Sequence, residues 1–422
     1  MPTAHPAPSI LRLRDFRWYL VGVGLSQAGS NGALAAMLYH VYVLSGSTFQ
    51  VGVVGAARGA TIIACSPWAG HLADRFDRRR LLQLSQAGGL VVALALAVVT
   101  LLGVVASWQI WAAMVLISIA AAVDQPARKA LIPALVPRGS LMQAITMTNP
   151  VNQVARLVGP ALGGVLIAVR GPELMYLLDA LICLVLIVIF LTIRTPPPDA
   201  AGPRSRFWPG LVEGVRFVAR RPIIYQLGGL DVAAQLFTAY RVVLPMIALD
   251  VLQAGPIGYG VLSAAVPAGG LVGGLVAYRT ARVPFRAGVL ALLTTAGYGA
   301  AAVVLGLGTV FAVALGGALC LGLFDAVATA FRQSVVIIET PDAMQGRVQS
   351  LYQMSATGAP AVGEFNVGVI AGLVGPTAAL VGGGLACIGY VALVAWRAPV
   401  VRRYRTHTVA VEPSTDERRR TP

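Results

Sequence analysis

Two carboxylates and four guanidinium groups crowd into residues 70–80, GHLADRFDRRR, between apolar stretches at 51–69 and 81–105. Asp74, Arg75, Asp77 and Arg78 can form ion pairs, and a carboxylate at a helix end can accept hydrogen bonds from the positive amino end of a neighbouring helix. That is the chemistry of reversible pairing, or of a solvated loop whose arginines stay on one side of a membrane, not of bond making. A second set of ionisable residues lies inside apolar segments: Arg58, Arg156, Asp179, Asp231, Arg241, Asp325 and Glu364. Each costs about 3 kcal/mol in hydrocarbon unless it faces a partner or water, so all are functional candidates by default. No Ser/His/Asp set, HExxH pair or GxxxxGK loop occurs, and there are only four histidines. Enzymatic chemistry, a bound metal, a cofactor and ATP as the driving force are therefore not expected. Cys65, Cys183, Cys320 and Cys387 fall singly inside apolar segments and read as small packing residues.

The elements that must position these groups are membrane helices. Of 422 residues 57% are hydrophobic and 12% charged, and 47 are glycine, a composition suited to closely packed spans. Apolar runs of spanning length predict twelve transmembrane helices, at 19–43, 51–73, 82–105, 108–123, 142–169, 173–193, 223–249, 258–278, 285–307, 310–331, 348–373 and 376–396. The residues 70–80 then form a tight loop between the second and third. A net charge of +15 suggests nucleic acid until its distribution is examined. With a cytoplasmic N-terminus, all but four of the 32 Lys and Arg fall on inner segments, the exceptions being Arg170 in an outer loop and Arg58, Arg156 and Arg241 within spans. This asymmetry places both termini in the cytoplasm and removes any need for a nucleic-acid partner. Arg12, Arg14, Asp15 and Arg17 lead into a full span, so no cleavable signal is expected.

The longest inner loop divides the chain into a six-helix bundle at 1–193, a linker at 194–222, a second bundle at 223–396 and a basic tail at 397–422. Within the linker, Leu211, Val215 and Val218 oppose Arg216, Arg220 and Arg221, the pattern of an interfacial helix. The bundles match at a shift of 204: Gly70, Ala73, Arg75, Arg78, Arg128 and Pro137 fall on Gly274, Ala277, Arg279, Arg282, Arg332 and Pro341. Asp124 finds its echo at Asp325, a shift of 201, three residues off that register. A parallel six-span repeat, with the substrate path between the halves, is one architecture of secondary transporters.

Polar residues at helical spacing mark the faces turned away from lipid. Gln27 and Asn31 share a face of the first span, and Asn149, Asn152, Gln153 and Arg156 share one on the fifth, so each set faces a hydrated cavity or a hydrogen-bonded seam. Asp231 and Gln235 form a polar pair at i, i+4 on the seventh span. Phe237, Tyr240 and Gln353, with Tyr225, Tyr352 and Met354, add aromatic and soft surface for an amphipathic cargo, or packing. Asp124 and Asp325 are expected to pair with Arg128 and Arg332. For Asp179 a helix-packing hydrogen bond is expected. Glu364 is deep enough either to carry a proton or to pair with Arg58 as a gate, and His40 reads as an interfacial hydrogen-bonding residue.

These residues resemble the major facilitator superfamily, in its branch of bacterial exporters that includes enterobactin-type and macrolide-efflux-type proteins. The run at 70–80 is similar to that superfamily's loop motif, and RLVGPALGG at 156–164 to its antiporter motif. PAR at 126–128, LVP at 135–137, GPIGYG at 255–260 and GRVQSLY at 346–352 add to the likeness, which covers roughly 11–396. The resemblance implies that Gly70, Asp74, Arg75, Asp77 and Arg78 latch the inner side closed. It also implies that Arg156, Gly159, Pro160, Gly163 and Gly164 belong to a gate helix bent at the proline and packed closely on the other half. Asp231, Glu364 and Arg58 are then candidates for coupling or gating. Two departures weigh against the commonest coupling route: 108–123 lacks the superfamily's arginine motif, and Tyr278 stands where the first repeat has Asp74.

The sequence thus predicts a monomeric multi-pass protein of a bacterial inner membrane. It would export a small amphipathic organic molecule by alternating access, with a proton gradient as the source of energy. Uptake or facilitated diffusion of a metabolite, and a non-transporting sensor on the same fold, remain open.

Overall fold

A computed structural model describes residues 10–193, 207–280 and 287–404, and these contain helices and connecting loops but no strands. The first half comprises α1 (Arg14–Ser45), α2 (Thr48–Arg75), α3 (Arg78–Leu101), α4 (Ser107–Leu135), α5 (Leu141–Val169) and α6 (Pro172–Thr192). The amphipathic α7 (Phe207–Arg220) follows, as the linker pattern predicts. The second half comprises α8 (Pro222–Phe237), α9 (Leu244–Met246), α10 (Gly255–Thr280), α11 (Ala287–Leu307), α12 (Phe311–Glu339), α13 (Asp342–Val374) and α14 (Pro376–Arg397), before a short α15 (Pro399–Arg403). Two tight connections use one device: Gly171 and Gly375 take φ of 128° and 89°, and the next residue is a proline opening the following helix.

Helix pairing repeats between the halves. In the first, α1 packs on α5 and α6, α2 on α4, and α3 on α4 and α6; in the second, α8 packs on α13 and α14, α10 on α12, and α11 on α12 and α14. The halves join through α2 against α13 and α5 against α10.

Among the described residues ten helices are long and apolar enough to span a membrane, and a bent pair, Pro222–Val242 with Leu244–Val251, makes an eleventh. Two of the twelve expected spans differ. α1 falls outside that set because Ser26, Gln27, Ser30 and Asn31 interrupt its apolar surface. The span expected at 223–249 is broken: α8 stops at Phe237, a 3-10 turn covers Tyr240–Val242, and α9 with a π-turn at Ile247–Val251 continues at 44°. Pro245 explains the restart. It supplies no N–H to the carbonyl of Arg241 and its ring would clash there, whereas the first turn of α9 tolerates it. The freed carbonyl of Leu236 accepts instead from Asn366 Nδ2 of α13 at 3.2 Å.

Buried apolar side chains form four clusters, two per half, one toward the end of the bundle that carries the termini and one toward the opposite, distal end. Between each pair of clusters lies a polar layer. On α1, Phe16 to Val23 serve one cluster and Ala36 to Tyr42 the other, with Ser26 to Asn31 between them.

Candidate transport site between the two bundles

Each half closes its polar layer around a buried ion pair. In the first, Asp124 and Arg128 pair on α4, as their i, i+4 spacing predicts. Ser85 and Gln86 of α3 donate to the same carboxylate at 3.1 and 2.9 Å, and Arg128 donates to Ser26 at 2.9 Å. In the second, Arg332 of α12 donates to Asp231 of α8 at 2.6 Å and to Thr329 at 3.0 Å. This corrects the expectation that Arg332 serves Asp325. Seven residues separate those two along α12, about 10 Å of rise, too far for a direct pair. It also places Asp231 in the wall of the second half, held by a guanidinium.

Asp179 of α6 does not make the expected packing bond; among the described residues its side chain has no hydrogen-bond partner. It borders a cavity of about 60 Å³ with Ser26, Ser30, Ser85 and Asp124. Gly29 makes room for it, since a Cβ there would lie 2.6 Å from Asp179 Oδ1. His40 is buried rather than interfacial, 3.1 Å from the Tyr176 hydroxyl through Nδ1.

The remaining charges meet between the halves. Arg241 lies in the turn between α8 and α9, its guanidinium stacked over Tyr240 and 3.8 Å from Glu364 of α13. Arg241, not Arg58, is therefore the ion-pair partner of Glu364. Glu364 is buried where α13 crosses Gly55 of α2, a glycine whose Cβ would collide with its side chain. Arg58, one turn further along α2, stands within electrostatic reach of Glu364, Arg241 and Arg156. Arg156 and Asp325 are within reach of each other and of Arg241.

Among the polar candidates, Asn31 donates to the backbone carbonyl of Gln27 at 2.7 Å, and Asn152 Oδ1 is buried without a donor. Asn149 and Gln353 are exposed, Gln153 is half-buried, and the backbones of Gln235 and Phe237 pack on Gly363 and Gly383. Along α5 the glycines divide. Gly159 and Gly163 face Ala28 and Gly32 of α1 in their own half, and only Gly164 meets the other half: a Cβ there would sit 2.5 Å from the Cα of Gly260. The reading that all three pack on the opposite half is thereby corrected. In the latch motif, Asp77 caps α3 by accepting from the Arg79 N–H at 2.9 Å. The side chains of Gly70, Asp74 and Arg75 lie outside the described residues, and Arg78 opens α3.

Three features went unread in the sequence. Arg79 donates to the carbonyls of Phe190 and Leu191, satisfying the end of α6. Tyr42 of α1 donates to Asp250 in the π-turn, and Tyr259 of α10 to the Ala35 carbonyl at 2.8 Å. With Gly52 against Gly368 and Gly164 against Gly260, these tie the halves together toward the distal end. A proline four residues after Arg241 was the available signal for the helix break.

Two repeated helical bundles, meeting along two helix pairs around a charged midline, define a secondary transporter. The sequence matches the family described as transmembrane secretion effectors over residues 6–415, so the chain belongs to that family of the major facilitator superfamily and is a multi-pass protein of the bacterial inner membrane rather than an enzyme. Relatives named enterobactin exporter, from Escherichia coli O127:H6 and Citrobacter koseri, are each 29% identical to it, over 85% of this chain and 86% of theirs and over 84% and 85% respectively. The fold is shared with a nucleoside transporter (TM-score 0.70, 14% identity, 93% of this chain and 100% of that one). It is shared also with a POT-family transporter solved with 5-aminolevulinic acid (0.74, 13%, 95% and 98%).

Proposed function

We propose that this protein exports a small amphipathic organic molecule from the cytoplasm in exchange for protons. Twelve spans with both termini inside follow if α1 and the bent pair each cross the membrane, and the retained lysine and arginine asymmetry supports that orientation. The distal end is then periplasmic, and the contacts there belong to a conformation closed toward the outside.

The observation that carries this reading is the Arg241–Glu364 pair at the break of the seventh span, where the second bundle sets opposite charges 3.8 Å apart against Gly55 of the first. A carboxylate so placed can exchange a proton for its guanidinium partner as the broken span shifts against α13. Broken spans whose freed backbone lines the central path are a recurring device of secondary transporters. The kinship with proteins named enterobactin exporter favours outward transport and a siderophore-like cargo. The protein works as a monomer within the lipid bilayer, and Asp74 with Arg75 latches the inner side in the opposite conformation. The test is transport in inverted membrane vesicles with an imposed pH gradient. Cargo should accumulate while the gradient lasts and stop when an ionophore collapses it; accumulation that survives collapse rejects proton exchange.

A further inference from the structure

Three guanidinium groups share the space between the bundles, and the carboxylates there do not balance them. Arg58 of α2 lies between Gly55 and Gly59, which pack on Glu364 and Ala361 of α13; Arg156 lies one turn before Pro160 of α5, whose carbonyl packs on Gly260 of α10; and Arg241 follows α8, so both halves contribute along their shared seam. Glu364 and Asp325 are the acids within electrostatic reach of this trio. Asp231, which could have made the count even, is held by Arg332. Neither acid holds the trio tightly. The Arg241–Glu364 contact is 3.8 Å, with the arginine side chain 43% exposed, and among the described residues Arg58 and Arg156 make no ion pair or side-chain hydrogen bond.

Guanidinium does not release its proton in a protein. The midline therefore carries one formal positive charge in excess. Positive charge at this depth is costly without a counter-ion. A cargo that brings its own negative charge removes that cost, and bidentate contact with a planar guanidinium fixes its orientation.

Resting on the export reading above, we infer that the cargo is an anionic amphiphile, a molecule whose carboxylate, catecholate, sulfonate or phosphate group docks on Arg156 with Arg58 and Arg241. Tyr240 and Phe237, beside Arg241, meet its organic body. Organic cations are poor cargos for such a site, because the trio repels them.

The test uses the full chain and three probes of nearly equal shape: 2-naphthoate, its neutral methyl ester and 2-naphthylmethylammonium. Binding to the purified protein in detergent is measured by equilibrium dialysis. Naphthoate should bind at least about tenfold more tightly than the other two, the range of one charge-assisted hydrogen bond. Arg156→Gln should remove about tenfold of that affinity, and Arg156→Lys should keep most of it. Arg58→Gln serves as the second variant if Arg156→Gln elutes aggregated on size exclusion. Equal or absent binding across the three probes, or naphthoate binding indifferent to both arginine variants, overturns the inference. Transport of the same probes into inverted vesicles separates the two proposals. Arginine-dependent naphthoate binding without accumulation leaves the anion site standing and rejects export. Accumulation of the ammonium probe without arginine-dependent naphthoate binding upholds export and rejects the anion site.

Discussion

Arg332 gives its guanidinium to Asp231, 2.6 Å away on a different helix, and not to Asp325 on its own. Both partners are almost wholly buried, with side chains 3% and 9% exposed. Breaking such a pair leaves a lone charge in a dry wall, at a cost of about 3–5 kcal/mol. Arg332→Gln should therefore lower the melting temperature of the purified protein sharply, and Asp231→Asn added to it should recover part of the loss because no unpaired charge remains. Asp325→Asn should change stability little, since that carboxylate is only half-buried and, among the described residues, makes no ion pair or hydrogen bond. An Arg332→Gln protein that melts with the parent would refute this account of the wall.

α5 and α10 pack backbone to backbone at Gly164 and Gly260, with a Cβ on the first placed 2.5 Å from the Cα of the second. No side-chain rotation relieves a clash against backbone, so Val at either position holds the distal ends apart. Transport by Gly164→Val or Gly260→Val is expected to fall at least about tenfold, because closure of that side is a step of every cycle. Gly274→Ala is the control: nothing lies within 4 Å of its Cβ, and transport should be unchanged. Vesicle uptake rates normalised to protein amount decide the matter, and normal transport by both valine variants would remove the contact from the cycle.

Much of the scaffold was legible because hydrocarbon thickness and charge asymmetry impose it locally. Runs of spanning length gave the helices, the arginine and proline matches at a shift of 204 pointed to the repeat, and the i, i+4 spacing gave the Asp124–Arg128 pair. Pairings between helices were not legible in this way. The sequence offers Arg332 two acids, and only the packing of α8 on α12 selects Asp231. Likewise Glu364 faces both Arg58 and Arg241, and the break caused by Pro245 brings the second within 3.8 Å. Gly159, Gly163 and Gly164 read alike in the chain, yet their places on the helix surface send the first two toward α1 and the third toward α10.

Glu364 is the acid whose protonation would change a contact between α13 and the broken span. Glu364→Gln should keep cargo binding but lose the dependence of transport on the pH gradient, measured as exchange and gradient-driven uptake in the same vesicles. Full gradient dependence in this variant would exclude Glu364 as the carrier and shift attention to Asp325. Exchanging the pair, Arg241→Glu with Glu364→Arg, should restore some transport absent from each single variant, since a 3.8 Å contact between charged side chains tolerates reversal better than loss. The same exchange between Arg58 and Glu364 should restore less.

Asp74 and Asp77 lie three residues apart, and the cap on α3 assigns them different work. Asp77 accepts from the Arg79 N–H at 2.9 Å, so Asp77→Ala removes an N-cap and should cost about 1 kcal/mol of stability, visible as a modest fall in melting temperature. Its effect on transport should be no larger than that loss explains. Asp74 lies one residue before the end of α2, and on the latch reading its carboxylate engages the opposite bundle when the inside closes. On that reading Asp74→Asn should keep cargo affinity and slow turnover severalfold. Thermal melts and initial transport rates on the two variants separate the roles. The latch is refuted if Asp74→Asn transports at the parental rate, and the division of labour fails if Asp77→Ala slows transport without lowering stability.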